Sequence, residues 1–181
     1  MPATLYDESR ALFIRRWGEM GASWGISRTM AEIHALLFIS NVPLCADELM
    51  AELQVSRGNT SMNLRQLLAW GLIQRVHQRG DRKEYFVAES DVWQMFETIT
   101  KERRRREIEP IIETIDKCRA MLTEELKGVR GERSKDIEAF RSRLTQMQEF
   151  FTVVNSLFNV VVKIGKSKVG TVLKALSKLG A

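Results

Sequence analysis

The chain has 181 residues, 44% hydrophobic and 28% charged, with a formal net charge of +5. That composition can bury a core and excludes a disordered chain, and the positive balance suits a polyanionic partner without specifying one. Two cysteines (Cys45, Cys118) and two histidines (His34, His77) fall into no metal-type spacing, so neither a metal nor another cofactor is expected and both thiols read as reduced.

The first ten residues are charged and lack the apolar core of a signal peptide. The most apolar stretch, Phe150 to Ile164, is broken by Asn155 and Asn159 and is too short and polar to span a bilayer. A cytoplasmic protein without membrane insertion is therefore expected.

In chain order, Leu12, Phe13, Trp17 and Met20 have helical spacing between about Tyr6 and Trp24. Ser27 offers an N-cap to a strongly apolar helix containing Met30, Ile33 and Leu36 to Phe38, which Asn41-Val42-Pro43 ends. A short helix fits Ala46 to Leu53, followed by a tight turn at Gln54-Val55. Ser56 then caps a second helix that runs to Trp70 and stops at Gly71. Leu72 to His77 and Glu84 to Ala88 read as strands joined by a charged hairpin around Gly80-Asp81. This order predicts a mainly α fold with a small two-stranded β wing: a winged helix-turn-helix domain plus long dimerisation helices.

Beyond it, Ser90-Asp91 caps a helix through Trp93, Phe96 and Ile99. That helix continues past the basic run Lys101 to Arg106 and is bent or restarted at Pro110, reaching about Lys127. From Ser134, apolar residues at Ile137, Phe140, Leu144, Met147, Phe151, Val154, Phe158 and Val161 alternate spacings of three and four, a heptad seam. The expected divisions are an N-terminal dimerisation helix (1–26), the winged helix (27–89), dimerisation helices (90–162) and a lysine-rich amphipathic tail (163–181).

The second helix of the motif should place its N-terminal half toward base edges in a major groove. Its outward face is expected to carry Asn59, Met62, Asn63 and Gln66, flanked by Ser56, Arg57, Ser61 and Arg65. Asn and Gln can pair with adenine, and Arg with guanine. No acid occurs from Gln54 to Arg79, which fits a polyanion. Arg79, Gly80, Arg82 and Lys83 form the wing, with Asp81 expected to shape the turn. The bland alternative for each is a solvated polar residue.

Three blocks, VSRGNTSMNLRQLLAWGLIQRV, RGDRKEYFVAESDVWQM and ERRRREIEP, cover most of Ala31 to Pro110. On them the chain resembles the GbsR/MarR family of transcription regulators. The resemblance implies a dimeric winged-helix repressor of double-stranded DNA, often released by a small-molecule effector, with the recognition helix at 57–70 and the wing at 79–83. No effector-pocket motif is matched.

Two copies reading successive major grooves, about 34 Å apart, give specificity that one helix-turn-helix lacks. Dimer contacts are expected from Leu12, Phe13, Ile137, Phe140, Leu144, Met147, Phe151, Val154 and Phe158; the alternative is packing within one chain. The basic run reads as a solvated face paired with Glu107 and Glu109 rather than as a DNA clamp. Trp17, Trp24, Trp70 and Trp93 suit a core better than an aromatic cage for a quaternary ammonium ligand. No phosphate loop, nucleophile elbow or catalytic set is present, so an enzyme is not expected. A winged-helix protein-interaction adaptor is the other reading.

Overall fold

The computed structural model describes residues 4–167. They form two compact units that divide between Ile99 and Thr100.

The first unit opens with α1 (Leu5–Ser23), whose N-cap Thr4 and N3 residue Asp7 form a reciprocal capping box. Helix α2 (Arg28–Ile39), capped by Ser27, is its centre. Ile33 and Leu36 have no exposed surface and Met30 almost none, so each contributes roughly 1.5–3 kcal/mol by leaving water. Helix α1 reaches α2 through Gly18 and Gly21. A Cβ at Gly21 would stand 2.6 Å from the Ala31 Cβ, so any larger residue would force the helices apart.

Helix α3 (Ala46–Leu53) ends in a left-handed Gln54 (φ 54°). That geometry makes the tight turn into α4 (Arg57–Trp70), with Ser56 as N-cap. Thr60, Leu64, Leu67 and Trp70 form the buried stripe of α4. Gly71 (φ 71°) closes the helix in the left-handed conformation that glycine adopts without steric cost.

Strands β2 (Ile73–His77) and β3 (Glu84–Ala88) pair antiparallel, Ile73 opposite Ala88 and His77 opposite Glu84. A third strand joins the wing: β1 (Leu44–Cys45) pairs with β3, Leu44 opposite Phe86, giving the order β1-β3-β2. Two residues are too few for alternation to reveal a strand. Helix α5 (Val92–Arg103) starts on the Asp91 carboxylate, which accepts the Trp93 and Gln94 amides at 2.8 and 3.2 Å.

In the second unit a π-helical segment, Arg104–Ile108, precedes α6 (Glu109–Glu125), with Pro110 in its first turn. Proline cannot donate back into the preceding turn, and the widened turn is the local adjustment that accommodates it. After Gly131 comes α7 (Glu132–Lys166), packed on α6. Ile115 and Val162 are buried; the Gln148 side-chain amide donates to Asp116 at 2.6 Å, and Arg104 donates to Asn155 at 2.6 Å.

The seam read from the sequence is split by this hairpin. Ile137, Leu144, Phe151 and Phe158 are half-buried within the chain, while Phe140, Met147, Val154 and Val161 are exposed. Taken with Phe150, Leu157 and Ile164, the exposed row is itself a heptad stripe at 147, 150, 154, 157, 161 and 164. Phe13, expected at a dimer contact, instead packs on the first unit's core with its ring 5.6 Å from that of Trp17; Leu12 is exposed. Among the described residues no helix is long and apolar enough to cross a membrane. The tail from Lys163 contributes its first four residues to α7; its remainder from 168 lies outside the described residues.

Candidate nucleic-acid interface

Helix α4 is held by its inner side, which leaves an outer face of Arg57, Gly58, Ser61, Met62, Arg65 and Ala69, all exposed. Met62 is 56% exposed. Ser56 caps the helix, accepting the Asn59 amide at 3.4 Å. The amides of the first turn add positive potential at this end.

Asn63 does not share that face. It is 1% exposed, and its side-chain amide donates to the Asn59 carbonyl at 2.8 Å and to the Asn59 side-chain oxygen at 2.7 Å. Asn59 is half-buried and donates in turn to the Thr29 hydroxyl at 3.2 Å. The two asparagines thus form a polar tether between α4 and α2, and the placement of Asn63 toward base edges is corrected. At 3.6 residues per turn, position 63 lies one residue from Leu64 and three from Thr60, both on the buried side. Gln66 is also half-buried, at the edge of the outer face.

Replacing Asn63 should therefore affect stability. Asn63→Ala is expected to cost about 1–3 kcal/mol in denaturant unfolding, because it removes a buried side chain and both bonds by which that side chain holds Asn59. Met62→Ala is expected to stay within about 0.5 kcal/mol of the unaltered chain, as for a surface site. Equal stability losses in the two variants would contradict the assignment.

The wing loop runs from Gln78 to Lys83, and Arg79, Gly80, Arg82 and Lys83 are all exposed. Gly80 takes φ +91°, which a side chain would disfavour. Asp81 braces the loop, its carboxylate accepting the Lys83 amide at 2.9 Å and the Tyr85 hydroxyl at 2.8 Å. These bonds hold the Asp81 carboxyl below its ordinary value, the Lys83 amide foremost. The same carboxylate pushes the Tyr85 phenol up to about 12.

Helix and wing converge on a residue that sequence reasoning missed. Asp47, in the first turn of α3, accepts from Arg57 at 3.2 Å, and its other oxygen lies 3.5 Å from the Lys83 ammonium. The Lys83 ammonium is held above its ordinary value, first by the neighbouring Cys45 sulfur and then by Asp47. Asp47 stands ten residues from Arg57 and thirty-six from Lys83, so no local spacing could signal the contact. Arg65, Arg79 and Arg82 form no ion pair among the described residues.

The basic run carries the pairing expected of a solvated face: Arg103 with Glu107 at 3.1 Å, Arg104 with Glu109 at 3.5 Å, and Arg105 with Glu102. Trp70 is buried and Trp17 packs on the core. A cleft of about 280 Å³ lies between α1, α2 and α3, crossed by the Arg10–Glu52 ion pair and walled by Asp7, Arg15 and Glu32. Among the described residues no cluster of three or more metal-ligating side chains occurs.

An α3-turn-α4 pair carried on α2, followed by a β-hairpin whose root meets the start of α4, defines a winged helix-turn-helix domain. Residues 24–84 match the model of the MarR family. Over 116 residues the chain is 26% identical to the HTH-type transcriptional repressor GbsR of Bacillus subtilis (strain 168), covering 64% of each chain. A second Bacillus subtilis chain, YvaV, is 24% identical over 98 residues, 54% of this chain and 55% of that one. The matches thus span less than two thirds of these relatives' own lengths. Among solved structures, a crystal structure of a transcriptional regulator is similar at TM-score 0.47 and 21% identity, covering 83% of this chain and 98% of that one. S. aureus MepR in a DNA-binding conformation is similar at TM-score 0.37 and 16% identity, covering 70% and 96%.

Proposed function

We propose that the protein is a DNA-binding transcription regulator, acting as a homodimer on a pseudo-palindromic operator. The observation that carries this reading is the convergence of two cationic elements. Arg57 at the start of α4 and Lys83 at the root of the wing reach the same Asp47 carboxylate, so one duplex can meet both. The exposed row Ser61, Met62 and Arg65 then faces base edges. Arg65 suits guanine, Met62 suits the thymine methyl, and Ser61 can bond either kind of edge. Arg79 and Arg82 suit phosphates or a narrow minor groove. Similarity to a protein named a repressor favours repression as the sign of regulation. The exposed heptad stripe of α7 supports a two-fold partner helix as the dimer contact, which places two recognition helices on one operator.

The test is selection of bound fragments from random duplex DNA, followed by binding across a salt series. Inverted repeats with half-sites about one helical turn apart are expected. Arg65→Ala should relax choice at one base pair and cost about 1–3 kcal/mol there. Arg82→Ala should weaken all duplexes alike and flatten the slope of log K against log salt by about 0.9. Absent or salt-independent duplex binding would instead favour a protein-interaction adaptor.

A further inference from the structure

The stretch from Gln54 to Arg79 holds no acid in sequence, yet in space its first cation is already engaged. Asp47 projects from the first turn of α3 and meets Arg57 through one oxygen and Lys83 through the other, at 3.2 and 3.5 Å. All three side chains are half or more exposed, Arg57 at 82%. Nothing in the fold compels these pairs, because both cations could reach solvent. Exposed ion pairs of this kind contribute little stability and are readily exchanged. The carboxylate therefore occupies a position where an anion bridges the recognition helix and the wing.

We propose that Asp47 is a resident substitute for a DNA phosphate: it holds Arg57 and Lys83 when no duplex is bound and competes with the backbone for both when one is. The inference rests on the DNA-binding reading. A phosphate entering between helix and wing must displace the carboxylate, or share its cations at the cost of like-charge repulsion. Part of the affinity that two cations could give is thereby withheld. Since phosphate contacts carry no sequence information, the tax falls equally on operator and random DNA. Asp47 lowers overall affinity and leaves the ratio between sites alone. With the acid neutralised, each freed cation can release a counterion of its own, and each full phosphate contact adds about 0.9 to the salt slope.

The experiment is Asp47→Asn in the full chain, measured on a selected operator and on a random duplex from low to moderate salt. Affinity for both should rise by about threefold to thirtyfold at low salt, the range expected when two exposed pairs are released. The slope should steepen by about 1 to 2. In an Arg57→Ala, Lys83→Ala background the same change should move affinity by less than about twofold. Asp47→Glu keeps the charge and should retain the wild-type slope. Asp47→Ser serves as a second neutral variant should the asparagine form fold poorly. A purely structural role for an acid in the first turn of α3 would alter thermal stability and leave the salt slope untouched. An unchanged slope, or weaker binding, in folded Asp47→Asn overturns the proposal while wild-type binding keeps the DNA reading intact. Absence of wild-type duplex binding at every salt overturns the DNA reading itself, and the proposal with it.

Discussion

Acidification from pH 7 to pH 4 is expected to cost the protein about 3 kcal/mol of stability through one side chain, His34. Its ring lies in α2 at 3% exposure, stacked between Trp17 at 6.1 Å and Phe38 at 6.2 Å, and its Nε2 has no hydrogen-bond partner among the described residues. Burial lowers its pKa from 6.5 to about 4. A neutral ring fits that slot, whereas an imidazolium would lose its hydration. The aromatic faces return only about 0.5–2 kcal/mol as cation–π attraction, so desolvation wins. Because the folded-state pKa is depressed, the stabilisation is fully present above pH 6.5 and is lost as pH falls through about 4. The depressed carboxylates Asp7 and Asp81 come into play only as pH nears their ordinary value of 3.8, so most of the window belongs to the histidine. Denaturant unfolding followed through tryptophan emission should show the loss in the native chain. In His34→Leu the profile between pH 6.5 and 4 should be flat, whatever its absolute height. Parallel profiles would show that His34 is not the source. A loss of this size is a large share of the 5–15 kcal/mol typical of a domain.

The order of elements in the winged helix was legible because each carries a local signature. Ser27 and Ser56 announce helix starts, Gly71 a stop, and Gly80-Asp81 a hairpin. The buried row Thr60, Leu64 and Leu67 follows directly from helical periodicity. The identity of the outer face of α4 was only partly legible. Sequence chemistry favours Asn63 as a base reader because its amide could bond adenine, but its register sets it inside, where that amide bonds Asn59 instead. A polar residue on the border of a buried stripe has two uses, and composition cannot rank them. Asp47 was invisible for a different reason: the contact joins α3, α4 and the wing, and only the tertiary fold brings a carboxylate into a segment free of acids. The seam of α7 shows the same limit. A heptad pattern has two rows, and periodicity does not say which row α6 will take.

That division of rows leads to the second large effect. Leu157→Glu is expected to convert a dimer into a monomer. Leu157 is 61% exposed and sits mid-stripe between Val154 and Val161, with Phe150 and Ile164 a turn or two away. In the dimer proposed above, two copies of Leu157 leave water, each contributing roughly 1.5–3 kcal/mol. Substitution removes both contributions and adds two carboxylates that must be desolvated without a cation. A combined cost on the order of 5 kcal/mol raises the dimer dissociation constant more than about a thousandfold. Sedimentation of the variant should show the single-chain mass at concentrations where the unaltered chain is dimeric. Ser156→Glu adds the same charge one residue away, off the stripe, and should leave the dimer in place. Because the inward row Leu144, Phe151 and Phe158 is untouched, helical content and the unfolding midpoint of the first unit should change little. DNA affinity should fall further than any single phosphate contact can explain, since each half-site is then bound without the effective concentration that the second supplies. A variant that stays dimeric would move the two-fold contact away from α7. One that becomes monomeric yet keeps full operator affinity would remove the need for a dimer in recognition.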